Sequence, residues 1–151
     1  MNYEKKLNEM GIELTEPAKP VASYVPGVKT GNLIFVSGQI PKKDGEIITG
    51  RLGEDISIED AYEAAKLCCI SCLSVVKSIT GDLDKIKRVV KVVGYVNSVP
   101  ESGDQPKVVN GASDLLVEVF GDAGKHARAA IGHSGLPLNV PVEVEMIVEV
   151  E

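Results

Sequence analysis

Arg128 is the only formally charged residue between Lys125 and Glu143, and its neighbours Ala127, Ala129, Ala130 and Gly132 are small. A guanidinium is a planar fork of N–H donors that fits a carboxylate through two parallel hydrogen bonds. Small walls around such a fork leave room for a compact acid, so this strand-like run reads as a candidate anion site.

Other polar residues stand where a surface role is strained. Tyr24, between Ser23 and Val25-Pro26-Gly27, sits in a loop stiffened by proline, where its ring either faces a ligand or closes a core edge. Asn110 lies among apolar residues in Val108-Val109-Asn110-Gly111, in a stretch that reads as helix, where asparagine has no helical advantage; it bonds a ligand or a neighbouring backbone. Glu143 belongs to an alternating acidic strand face, and from pattern alone a solvated carboxylate is the simpler reading. His126 and His133 are candidate proton carriers or idle exposed rings. Cys68, Cys69 and Cys72 cluster in one apolar helical stretch, which suits small core residues better than a metal or redox site. No Ser-His-Asp order, phosphate-binding glycine loop or metal-ligand spacing stands out.

These residues need elements to hold them. Residues 3 to 10 have the pattern of a short amphipathic helix, and the segment with Pro17, Pro20 and Pro26 is extended. Leu33 to Ser37 reads as a strand, and the Lys43-Asp44-Gly45 turn leads to a second strand at Glu46 to Thr49, an opening hairpin. Ser57 caps a helix running to about Ile79, whose apolar residues recur at threes and fours. A valine-rich strand spans Ile86 to Val99. A second helix, capped by Asp104 with Pro106 in its first turn, ends at Gly121. The Arg128 strand and the alternating strand after Pro141 complete the order β-β-α-β-α-β-β. This is an α+β fold, two helices on one face of a mainly antiparallel sheet. Its other face stays uncovered in one subunit, which points to oligomerisation.

The 151 residues make one domain, with 44% hydrophobic residues to fill a core. A net charge of −6 argues against a nucleic-acid partner, whose phosphates call for clustered Lys and Arg. No segment approaches the roughly 18 uninterrupted apolar residues of a membrane span, and the N-terminus lacks the apolar core of a secretion signal, so the expected location is the cytoplasm.

Taken together, Tyr24-Val-Pro-Gly27, Gly31-Asn32 through Ser37-Gly38-Gln39-Ile40-Pro41, Asn110, and Arg128 through Leu136-Pro137 to Glu143-Val-Glu145 resemble the Rid family, the YjgF-like reactive-intermediate deaminases once called endoribonuclease L-PSP. The resemblance covers residues 17–151 as a single domain, with 1–16 as an N-terminal extension. It implies a chorismate-mutase-like subunit of the bacillus type, a homotrimer with clefts at its interfaces, and cofactor-free hydrolysis of 2-imino acids such as 2-iminobutanoate and 2-iminopropanoate to 2-keto acids and ammonia. By position, Arg128 would hold the substrate carboxylate and Glu143 would orient or activate water. Tyr24, Ser37 and Asn110 would line the cleft, and the backbone carbonyl near Ala130 would accept from the imine nitrogen. The chain departs from the family's usual pattern at Pro26, at Gly132, where an acidic residue is common, and in Glu101 to Gln105, which lacks the usual aromatic. These changes touch pocket walls and bear on which acid is bound.

The alternative from another class is a non-catalytic trimer that binds a small metabolite and regulates. A ribonuclease role, attached to some family members, is disfavoured by the acidic balance.

Overall fold

A computed structural model describes residues 2–151. In chain order they form helix α1 (Tyr3–Glu9), strands β1 (Gly27–Thr30), β2 (Leu33–Gln39), β3 (Lys42–Lys43) and β4 (Glu46–Ile47), helix α2 (Ile58–Thr80), strand β5 (Ile86–Asn97), helix α3 (Gln105–Phe120), and strands β6 (Ala127–His133) and β7 (Val142–Val150). The main sheet has the order β1-β2-β7-β5-β6, and only the β5–β6 pair is parallel.

The alternation in β7 fixes which way the sheet faces. Val142, Val144, Met146, Val148 and Val150 are buried, while Glu143, Glu145, Ile147 and Glu149 turn to the other side and stay partly exposed. Over the buried side lies α2, nucleated where Ser57 Oγ accepts from the Asp60 N–H at 3.0 Å and complemented by Glu59 and Asp60 in its first turn. Its stripe Ala61, Ala64, Ala65, Cys68, Cys72, Val75 and Val76 packs on β7 and β2. The thiols of Cys68 and Cys72 donate to the carbonyls of Val142 and Val144 at 3.6 and 3.5 Å, and burial pushes the Cys69 thiol up to about 12. They are core groups. Beside α2, α3 covers β5 and β6.

Both long helices therefore lie on one face, the expected α+β architecture. The other face is open in the single chain: Val28 is 52% exposed, and Phe35 and Ile131 are each 43% exposed. Helix α1 closes one end of the core, its Tyr3 ring edge-on to Phe120 with centroids 4.5 Å apart and Leu7 buried.

The opening hairpin differs from the sequence expectation. Leu33–Gln39 pairs with the preceding Gly27–Thr30, and Glu46–Ile47 pairs only with Lys42–Lys43 in a separate two-stranded ribbon. The Asp44-Gly45 turn is real, with both residues at positive φ, but the strand after it ends at Ile47, and Ile48 packs against the core instead of extending into the main sheet. The strand order in the main sheet is still β-β-α-β-α-β-β, with one member exchanged. Asp104 does sit at the N-cap of α3, yet its side chain makes no cap bond; the carboxylate instead lies 3.2 Å from Lys107 Nζ.

Candidate functional site

In the parallel register Arg128 lies beside Val92, whose side chain is buried under the helices, so Arg128 leaves β6 on the helix side and meets α3. Its Nη1 donates to Asn110 Oδ1 at 2.7 Å and to Ser113 Oγ at 3.2 Å. Asn110 and Ser113 are three apart on α3 and share a helix face. Ser113 Oγ also lies 2.8 Å from His126 Nε2, and His126 Nδ1 lies 2.6 Å from the Gly124 carbonyl. Burial lowers the pKa of His126 below its usual 6.5, against an upward pull from the Gly124 carbonyl, and the Arg128 cation acts in the same direction as burial.

The backbone beside this cluster is also available. Strand β6 is an edge strand, and the Ser98 N–H donates to the His133 carbonyl at 2.9 Å. Carbonyls alternate sides along a strand, so those of His133, Ile131 and Ala129 face β5 while those of Arg128, Ala130 and Gly132 face the free edge. Gly132 makes room for Gln105: a Cβ there would stand 2.6 Å from Gln105 Nε2, which itself donates to Ser98 Oγ at 3.2 Å and to the Ser102 carbonyl at 2.9 Å. An amide held from α3 thus covers Gly132.

Glu143 stands elsewhere. It is opposite Tyr95 on the open face, half-buried, and its carboxylate rests on Gly38, where any Cβ would collide with Oε1. Burial raises its pKa above the usual 4.5, and the neighbouring Glu145 adds to the shift. Glu145 is itself tied to the Tyr95 hydroxyl, which donates to Oε1 at 2.7 Å; that bond pushes the Tyr95 pKa up to about 12. Ser37 anchors the loop that bears Tyr24, its Oγ donating to the Val25 carbonyl at 2.7 Å and its N–H to the Pro26 carbonyl at 2.8 Å. Tyr24 is 59% exposed and, with Pro26, Gly38 and Gln39, lines one end of a groove of about 960 Å³ between the N-terminal segment, α2 and the β3–β4 ribbon. Arg128, Asn110 and Ala130 are not part of that groove.

Six residues expected at one site thus form two groups within the chain. Arg128, Asn110 and Ala130 gather between α3 and β6. Ser37 and Glu143 stand on β2 and β7 on the open side, and Tyr24 lies in the loop that Ser37 holds through the Val25 carbonyl. From β6 to β2 there are three strand spacings, about 14 Å, and the two groups use opposite faces of the sheet.

Three further side chains bear on the clusters: Ser113, Gln105 and Tyr95. For Ser113 a signal exists in the chain, because Asn110-x-x-Ser113 matches the helix period and His126-x-Arg128 the strand period. Among the described residues no group of three His, Cys, Asp or Glu side chains is placed to hold a metal, and no helix is long and apolar enough to cross a membrane.

Comparisons with known proteins bear on this arrangement. A family model described as "YjgF/chorismate mutase-like, putative endoribonuclease" matches residues 4–150. Protein TCP17 from Trypanosoma cruzi is 43% identical over 145 residues, 95% of this chain and 91% of that protein. A crystal structure of a protein of unknown function from Agrobacterium tumefaciens is 46% identical, superimposes with a TM-score of 0.92, and is covered to 92% by 99% of this chain. A 2-iminobutanoate/2-iminopropanoate deaminase from Dermatophagoides farinae is 28% identical over 135 residues, 88% of this chain and 90% of that enzyme.

Proposed function

This chain belongs to the YjgF/chorismate mutase-like family, and from that premise we propose that it hydrolyses small 2-imino acids to 2-keto acids and ammonia. The observation that carries the reading is the state of Arg128: Nη1 is held by α3, while Nε and Nη2 have no protein partner among the described residues, and the strand that bears them is lined by small residues. Such a fork takes a carboxylate in two bonds. Asn110 spends its oxygen on Arg128, which leaves its amide nitrogen as a donor to the ligand, and the edge carbonyl of Ala130 accepts from the imine N–H.

An imine carbon is already electrophilic, so the reaction needs orientation, a placed water and proton transfer. Glu143 takes a proton from water as the water oxygen bonds to the imine carbon. Glu143 passes that proton to the imine nitrogen, giving a carbinolamine; it then takes the hydroxyl proton and delivers it to the same nitrogen as the C–N bond breaks and the C=O bond forms, releasing ammonia and the keto acid. A carboxylate with a raised pKa suits both halves of this transfer. Tyr24 and Ser37 complete the wall beside it. No cofactor enters this scheme.

Because the two groups lie on opposite faces of one sheet, we assign the complete site to an interface, with Arg128 of one copy facing Glu143 of the next in a homotrimer. The open sheet face with Val28, Phe35 and Ile131 is the surface that such assembly would cover. We assign the activity to the cytoplasm, where a core holding three unpaired thiols meets no oxidising pressure. The test is to generate 2-iminopropanoate in place with an amino-acid oxidase and follow keto-acid release. Acceleration by the protein and none by Arg128→Ala supports the reading; equal rates with both contradict it. Binding of the keto acid without turnover would support the non-catalytic sensor instead.

A further inference from the structure

With a neutral His126 ring, the hydrogen bonds behind Arg128 admit one arrangement of protons. Arginine only donates, and the two protons on Nη1 meet two oxygens, Asn110 Oδ1 and Ser113 Oγ. A backbone carbonyl only accepts, so the His126 nitrogen that lies 2.6 Å from the Gly124 oxygen, Nδ1, carries the ring proton. In the neutral ring Nε2 then bears a lone pair and takes the hydroxyl proton of Ser113 at 2.8 Å. That turns an oxygen lone pair of Ser113 toward Arg128. Donation therefore runs from Arg128 to Ser113, to His126, to the buried turn at Gly124. Burial, which disfavours the charged form of His126, supports the same order.

We infer that Ser113 and His126 are positioning residues of the anion site: they fasten Nη1 of Arg128 to the protein, so that a ligand carboxylate is taken by the Nε–Nη2 edge. The inference rests on the reading of Arg128 as a carboxylate anchor and adds which edge of the guanidinium is used and what holds it there. Neither residue touches the ligand. With Nη1 doubly bonded, the end-on Nη1–Nη2 fork is unavailable, and the plane of the guanidinium is fixed before the ligand arrives, which reduces the ordering cost of binding. The spacing fits the fold: α3 runs antiparallel to β6, so Asn110 and Ser113 on the helix meet Arg128 on the strand and His126 just before it.

The test is calorimetric titration of 2-oxobutanoate into the assembled protein, with steady-state kinetics on the same variants. Ser113→Ala and His126→Ala should each weaken binding about tenfold and raise KM by a similar factor, with kcat within about twofold. The double variant should be no weaker than either single one, because both act through one chain of bonds. Ser113→Thr, which keeps the hydroxyl, and His126→Gln, which puts an amide oxygen where Nε2 stands, should recover most of the loss. Nitrogen NMR of His126 should read the neutral Nδ1–H tautomer. An unchanged dissociation constant in Ser113→Ala, additive losses, or an Nε2–H tautomer overturns the inference. Arg128→Ala separates the two levels: if it binds as well as the unsubstituted protein the anchor reading fails, and if it alone loses binding only the positioning role fails.

Discussion

The Arg128 cluster and the Glu143 cluster lie on opposite faces of one sheet and are held by different forces. Arg128 is an exposed cation fastened by side-chain hydrogen bonds to α3, with three of its five N–H donors left over. Glu143 is a half-buried carboxylate laid over Gly38, with no side-chain hydrogen bond among the described residues to favour its charge and a second carboxylate, Glu145, beside it. The first arrangement makes a rigid binder. The second makes a stronger base than an ordinary glutamate. Preorganised donors serve recognition and a raised pKa serves proton transfer, so the two clusters divide the work that imine hydrolysis requires.

Substitutions should separate those two kinds of work. The largest effect is expected from Glu143→Gln, which keeps the shape over Gly38 and removes the base: kcat should fall by about a hundredfold to ten-thousandfold while 2-oxobutanoate binding changes little. Next comes Arg128→Ala, which should weaken keto-acid binding by about a hundredfold; Arg128→Lys should restore only part of it, because an ammonium has no planar fork. Gly38→Ala should displace the Glu143 carboxylate and cost about tenfold in kcat without a comparable change in binding, measured by the same kinetics and titration.

The smallest effect is one of pH. Glu143 acts as a base only when ionised, and its folded pKa lies above the usual 4.5, so kcat should fall as pH drops through a limb centred above that value. Glu145→Gln removes the like charge and should move the limb to lower pH. A limb that stays in place would mean that Glu145 does not tune Glu143.

Much of this was legible in the chain. The valines of β7 alternate with its glutamates, and the apolar stripe of α2 repeats at the helix period, because each element buries one face in a single core. The first hairpin was not legible, since β1 is a four-residue edge strand whose side chains are largely exposed and leave no apolar rhythm. Arg128 stood out as a charge among small residues. Its link to Ser113 and His126 did not, because the spacings Asn110-x-x-Ser113 and His126-x-Arg128 meet only when α3 is laid antiparallel to β6. Tyr95 reads as one more apolar position in a valine strand, yet its hydroxyl reaches Glu145 on the open face. Placement of Arg128 and Glu143 on opposite faces follows from a register that no local pattern encodes.

The most direct measurement mixes two inactive chains. Arg128→Ala and Glu143→Gln proteins, dissociated together and reassembled at equal amounts, should regain about a quarter of the activity of the unsubstituted protein, because a random ring pairs an intact Arg128 with an intact Glu143 from the next copy at one interface in four. Each variant reassembled alone should stay inactive. A mixture no more active than its components would contradict a site shared between copies.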